Sequence, residues 1–231
     1  MIVLDDIEQG TEEWRKVRCK CVTASEMHRI LTPAGKIADS KRKDQAESRR
    51  EGYLNDLLAE WLSGEPIEAW DGNRWTERGK ALEPEARDFL AFKLSEDIAQ
   101  VGFCYKDETR LVGCSPDGLI GYLGDGKTAR AGAEIKVLKS STHMRVLLKG
   151  VLPVAHKVQV YGSLLVSDLE IWHFLAYHPT YPFYLRVERD ERFIRELDIA
   201  VRCFTEEMLE LREAYRRQGY YPEAELAAME A

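Results

Sequence analysis

Ser115-Pro116-Asp117-Gly118 and, further along the chain, Ala133-Glu134-Ile135-Lys136-Val137-Leu138 are the two segments on which the fold turns. The second is apolar-rich and reads as a strand, in which side chains alternate between faces. Glu134 and Lys136 therefore share one face, and Ile135 points into the opposite, apolar layer. With Asp117 on a neighbouring short strand, two carboxylates and one ammonium come together. Carboxylate oxygens suit hard divalent cations such as magnesium, which bind through one or two carboxylates plus substrate phosphate. A backbone carbonyl, that of Ile135, is the candidate to complete the cation's shell. Lys136 is then the group that orients the nucleophile and stabilises charge growing on a phosphate. Either segment alone also fits a hairpin turn or a solvated strand face.

Taken together, the two segments match the P-D, then E-X-K pattern of the PD-(D/E)XK nuclease superfamily. Trp14-Arg15-Lys16-Val17-Arg18 with Val22-Thr23-Ala24-Ser25-Glu26, Arg78-Gly79-Lys80-Ala81-Leu82-Glu83, and Val158-Gln159-Val160-Tyr161 add further blocks. Their order and spacing resemble those of the phage lambda exonuclease family, the YqaJ-type viral recombinases, from about Gly10 to Glu191. The resemblance implies metal ligands Asp117 and Glu134, a catalytic Lys136, and Glu83 as a further acid for a second ion. Glu85 is the rival for that role, because Pro84 disfavours helical geometry in the residue before it. It also implies contacts from Arg18, Ser25, Ser115 and Gln159 to DNA near a terminal 5′ phosphate. Arg18 offers a planar fork for phosphate, and Ser25 a hydroxyl just inside a helix starting near Thr23. Thr23 and Glu26 also satisfy a capping-box pattern that does no more than start a helix.

The activity so implied is 5′-to-3′ digestion of one strand of linear duplex DNA to mononucleotides, leaving 3′ single-stranded tails for strand annealing. Two magnesium ions, replaceable by manganese, a ring-shaped homotrimer and a single-strand annealing recombinase as partner come with it. A structure-specific or restriction-type endonuclease and a non-enzymatic DNA-end clamp are the alternatives; the intact Asp, Glu and Lys set argues against the clamp.

The chain has 231 residues and a formal net charge of −7. That balance opposes DNA binding until its distribution is considered. From Lys127 to Lys149 six Lys or Arg face the single acid Glu134, whereas Glu206 to Ala231 holds seven acids and three basic residues. Such asymmetry focuses positive potential near the site. The length exceeds the usual domain size of about 100 to 150 residues, yet no linker divides it, so one nuclease domain over 1–231 is expected. No apolar run reaches the roughly 20 residues that span a bilayer, and the amino terminus lacks a basic start followed by a long apolar stretch. Cys19, Cys21, Cys104, Cys114 and Cys203 are odd in number and form no Cys-X-X-Cys unit, and the histidines show no zinc spacing. A protein of the reducing host cytosol, of phage or prophage origin, is expected, and His173 is expected to be packed.

Periodicity and capping signals predict helices over Thr11–Arg18, Thr23–Leu31, Glu47–Leu62 and Glu77–Lys93, the last interrupted near Pro84, with a polar connector over Pro33–Ala46. Strands follow over Ile98–Tyr105, Leu111–Cys114, Gly118–Tyr122 and Ala133–Leu138, with a hairpin turn at Gly124–Lys127. A serine-capped helix over Ser140–Lys149, a helix over Val154–Val166 carrying Gln159, strands Leu169–Tyr177 and Phe183–Glu188, a helix Glu191–Arg217 and a polar tail complete the order. The fold class is mixed α/β, a central mixed sheet flanked by helices with a restriction-endonuclease-like core.

Overall fold

The computed structural model describes residues 1–31, 40–67, 74–124 and 129–229. In chain order its elements are β1 (Ile2–Leu4), α1 (Glu12–Arg18), β2 (Val22–Thr23), α2 (Met27–Ile30), α3 (Ser40–Ser63), α4 (Arg74–Leu94), β3 (Ile98–Ala99) and β4 (Phe103–Tyr105). There follow β5 (Val112–Cys114), β6 (Gly118–Ile120), β7 (Ala131–Lys136), α5 (Ser140–Lys149), α6 (Val154–Ser167), β8 (Ile171–Ala176), β9 (Phe183–Glu188), α7 (Glu191–Arg217) and α8 (Glu223–Met229).

Among the described residues the strands form two sheets, ordered β1-β4-β5-β2 and β3-β6-β7-β8-β9. The class is mixed α/β as expected, with a second sheet in addition to the central one. After β3 the chain passes between them twice. Ile98–Tyr105, expected as one strand, breaks at Gln100–Gly102, so that β3 joins one sheet and β4 the other. Gly102 explains the break: a Cβ there would lie 2.4 Å from the Ile7 carbonyl oxygen. The second passage is Ser115-Pro116-Asp117, between β5 and β6. Gln9 joins the two passages, its side-chain amide donating to the carbonyls of Val101 and Pro116, each at 2.8 Å.

β7 and β8 pair in parallel, with Glu134 beside Phe174 and Lys136 beside Ala176. One face of this sheet carries Ala133, Ile135, Leu175 and Tyr177 and packs on Ala86 and Leu90 of α4. The other carries Trp172 and Phe174, in a cluster with Val160 and Leu164 of α6 and Leu197 and Phe204 of α7. Burial of each large side chain there is worth about 1.5 to 3 kcal/mol. Gly132 leaves room for Trp172, since a Cβ would meet its ring at 2.2 Å.

Several local expectations are corrected. Thr23 does not start a helix: Val22 and Thr23 form β2, parallel to β5, and Val22 N–H donates to Leu111 O at 2.8 Å. Both residues are buried, and β-branched side chains suit that pleat better than a helix start. No capping box forms; the Glu26 N–H donates to the Thr23 carbonyl at 2.9 Å, and α2 is one turn starting at Met27. Pro84 does not interrupt α4, which runs through it because Ala86 and Leu90 anchor the next turns fully buried. Lys139, not a serine, occupies the cap of α5, without a side-chain hydrogen bond. The second half of the predicted connector is the start of α3, and the predicted polar tail contains α8. Residues 33–39 of that connector and 125–127 of the predicted hairpin turn lie outside the described residues. Asp190 caps α7 through Arg192 and Phe193, and this helix has the predicted limits.

Candidate active site

The β5-to-β6 passage carries Ser115 and Asp117, and each stands at the edge of a separate polar cluster. Asp117 is fixed at three points. Its amide donates to the Ala133 carbonyl at 3.0 Å, its Oδ2 accepts from the Ile135 amide at 2.5 Å, and its own carbonyl accepts from Arg87 Nε at 3.1 Å. Glu134 and Lys136 share a face of β7, as strand alternation requires, with Lys136 Nζ 2.5 Å from Glu134 Oε1. That contact is an ion pair without hydrogen-bond alignment: among the described residues neither Glu134 oxygen has an aligned hydrogen bond, although the residue is only 1% exposed. Leaving a buried acceptor so costs about 1 to 3 kcal/mol.

Burial and the adjacent Glu134 carboxylate push Asp117 up to about 8, against the opposing pull of Lys136. For Lys136, burial disfavours the ammonium, but Glu134 and Asp117 outweigh it and hold the group above the usual lysine value. Lys136 is thus a fixed positive charge. Two oxygen-bearing acids converging here, one of them buried and unsatisfied, fit a hard divalent cation that takes its remaining ligands from water, backbone carbonyl and phosphate. Among the described residues no set of three His, Cys, Asp or Glu side chains converges in metal-binding fashion.

Glu83 lies near this pair and acts electrostatically on both Asp117 and Lys136. Its Oε1 is held by Arg87 Nη2 at 2.6 Å, one helical turn along α4. Glu85 instead accepts from the Tyr177 hydroxyl at 2.6 Å and is tied to the Ile135 side of the sheet. Arg87, whose guanidinium spans Glu83 and the Asp117 backbone, escaped the sequence reading; its i,i+4 spacing from Glu83 was the available signal.

The second cluster gathers Arg18, Ser25 and Ser115. Arg18 Nη1 donates to Ser115 Oγ at 2.9 Å, and Nη2 to Ser25 Oγ at 3.4 Å. The guanidinium lies 4.3 Å from the Trp14 ring centroid, and Trp14 Nε1 donates to Ser115 Oγ and to the Gly102 carbonyl, both at 3.1 Å. Ser25 Oγ is also 3.2 Å from Thr23 Oγ1. Ser25 sits in the turn between β2 and α2, not inside a helix as expected. Arg18 has no carboxylate within ion-pair distance among the described residues. A half-buried guanidinium held on neutral hydroxyls keeps its positive charge uncompensated, an environment suited to an anion.

Gln159 is on α6, one turn before Gly162. The bare Cα of Gly162 brings that helix against Ala24 and Met27, where a Cβ would lie 3.1 Å from Ala24 Cβ and 2.7 Å from Met27 Sδ. Gln159 makes no hydrogen bond to Arg18, Ser25 or Ser115 among the described residues. His173 is packed, its Nδ1 2.8 Å from the Tyr184 hydroxyl. The five cysteines are free, and no described helix is long and apolar enough to cross a membrane.

Comparison with known proteins gives a consistent result. The family model described as YqaJ-like viral recombinase domain matches residues 13–170. The chain is similar to the crystal structure of an alkaline exonuclease from Laribacter hongkongensis, with a TM-score of 0.74 and 26% identity over 90% of this chain and 98% of that one. The complex of that exonuclease with dAMP matches with the same values, 0.74, 26%, 90% and 98%. A phage-related exonuclease from Haemophilus somnus 129PT shares the fold, with a TM-score of 0.55 and 13% identity over 83% of this chain and 94% of that one. No curated protein matches the chain.

Proposed function

The chain belongs to the YqaJ-like viral recombinase domain family, and from that premise we propose that it is a magnesium-dependent exonuclease that degrades one strand of linear duplex DNA from its 5′ end. One observation carries the reading: the anion-receptive Arg18–Ser25–Ser115 cluster and the Asp117–Glu134–Lys136 cluster are joined by Ser115-Pro116-Asp117. Two residues span no more than about 7 Å. A 5′ phosphate held by Arg18 therefore brings the adjoining phosphodiester, rather than a distant one, to the carboxylates. That placement supports release of mononucleotides and 5′-to-3′ polarity.

Asp117, Glu134 and the Ile135 carbonyl are the proposed holders of a first ion, and Glu83 of a second, freed from Arg87. When bound, such ions polarise the phosphate and lower the pKa of coordinated water. The rest is done by the chain itself. Arg18, Ser25 and Ser115 bind the terminal phosphate, and Gln159 approaches it from α6. The Ile135 amide and Arg87 keep Asp117 aimed, and Lys136 presents a positive charge where the phosphate gains negative charge. A ring-shaped homotrimer enclosing the duplex, hand-over of the 3′ tail to a single-strand annealing recombinase, and action in the host cytosol complete the proposal.

End-labelled linear duplex, with a 5′ phosphate or a 5′ hydroxyl, is incubated with magnesium or chelator beside a covalently closed circle. The expected outcome is magnesium-dependent release of mononucleotides from the 5′-phosphorylated end and no attack on the circle. Cutting of the circle would assign an endonuclease instead, and tight end binding without release would assign a clamp.

A further inference from the structure

α6 crosses the face of the sheet that carries Glu134 and Lys136. In its first turn, His156 lays its imidazole on Phe174, with ring centroids 5.7 Å apart and planes inclined by 29°. Phe174 is the residue paired with Glu134 across the β7–β8 ladder, so the two side chains stand side by side on one face. His156 is thereby held one strand away from the candidate metal ligands, and Gln159 follows one turn later on the same side of α6. The ring is partly buried, and no ring nitrogen has a hydrogen-bond partner among the described residues. Other histidines of the sheet and its surroundings have partners: His173 pairs with the Tyr184 hydroxyl, and His143 Nε2 lies 2.6 Å from the Tyr181 carbonyl. Of these three, His156 is the one with neither ring nitrogen hydrogen-bonded, its ring held on Phe174 one strand from Glu134.

Resting on the nuclease reading of Asp117, Glu134 and Lys136, we propose that His156 is a further catalytic residue, donating a ring N–H to a non-bridging oxygen of the phosphate under attack. Burial, with Lys136 adding to it, lowers the imidazole to about 4, so the ring is neutral when the enzyme works and offers one donor. His156 shares α6 with Gln159 and is near enough to Lys136 to feel its charge. A neutral donor at that point adds a directed hydrogen bond without adding a second cation to repel the metal.

Two substitutions in the full-length protein separate this role from simple packing. His156→Phe keeps an aromatic ring on Phe174 and removes the donor; His156→Gln keeps a donor and removes the ring. Single-turnover digestion of 5′-phosphorylated duplex at saturating magnesium is measured for both, with DNA affinity and thermal unfolding alongside. We expect H156F to fall by about 100-fold in rate, the loss typical of one preorganised donor, with DNA affinity and melting unchanged. H156Q is expected to stay within about tenfold of the wild-type rate because its amide N–H can replace the imidazole donor. Wild-type rate in H156F, or equal losses in the two variants, would overturn the proposal. Wild-type protein and Lys136→Ala in the same assay keep the two readings apart: an inert wild type rejects the nuclease site, whereas an active wild type with an active H156F rejects His156 alone.

Discussion

Replacing Lys136 by alanine tests the core of the site twice, once through stability and once through rate. Lys136 Nζ is the cation 2.5 Å from Glu134 Oε1, and Glu134 is 1% exposed. Removing one member of a buried pair costs about 3 to 5 kcal/mol, because the remaining charge has no solvent to replace its partner. In chelator the variant should therefore melt about 10 °C below wild type at pH 7. Saturating manganese supplies a new cation to Glu134 and should close most of the gap at pH 7, because a ligand bound only by the folded state stabilises it. The rate in magnesium should remain depressed by about 100-fold or more, since the metal does not replace charge stabilisation on the phosphate. Calorimetric melting with and without manganese and single-turnover digestion measure the two effects. A deficit equal in chelator and manganese, or full turnover in the variant, would refute the reasoning.

Asp117 yields a pH prediction. Its raised value of about 8 means that, between roughly pH 4 and 8, the folded metal-free protein binds a proton that the unfolded chain has lost. Stability from this group therefore falls as pH rises through that window, and Asp117→Asn should remove the slope in calorimetric melts. For the same reason manganese must displace a proton below pH 8, so its apparent affinity should rise up to about tenfold per pH unit and level off above, as calorimetric titration would show. Arg18→Ala should lower the preference for a 5′ phosphate over a 5′ hydroxyl by roughly 10- to 100-fold in kcat/KM, the value of charge-assisted hydrogen bonds of about 1.5 to 3 kcal/mol. Undiminished preference would remove Arg18 from end recognition. Gly162→Ala brings a Cβ within 2.7 Å of Met27 Sδ. It should cost about 1 to 3 kcal/mol on thermal unfolding as α6 is pushed from Ala24 and Met27.

The legible parts of the sequence were those governed by local periodicity. Strand alternation put Glu134 and Lys136 on one face and Ile135 on the other, and the long helical run from Glu191 to Arg217 marked α7. The meeting of Arg18 with Ser25 and Ser115, so distant in sequence, came from resemblance and not from periodicity. What failed were features decided by long-range pairing. Thr23 carries a helix-start pattern, yet its neighbour Val22 finds the Leu111 carbonyl, and a ladder to β5 wins. Nothing within Ile98–Tyr105 announces that it serves two sheets; the close Ile7 carbonyl at Gly102 decides that. Arg87, Gln9 and His156 stayed hidden because each acts on a partner that only the folded chain brings near, although Glu83 and Arg87 at i,i+4 left a trace.

The short link from Cys114 to Gly118 gives the enzyme a covalent gauge. On the proposed reading, the place where an end is sensed and the place where the backbone is severed are separated by a span that no hinge or swinging arm sets, and the Gln9 carboxamide clamps it to the other crossover. Surface helices are free to diverge without altering the stride. If the proposed reading holds, a single residue inserted there would move the two clusters apart and lengthen the fragments released.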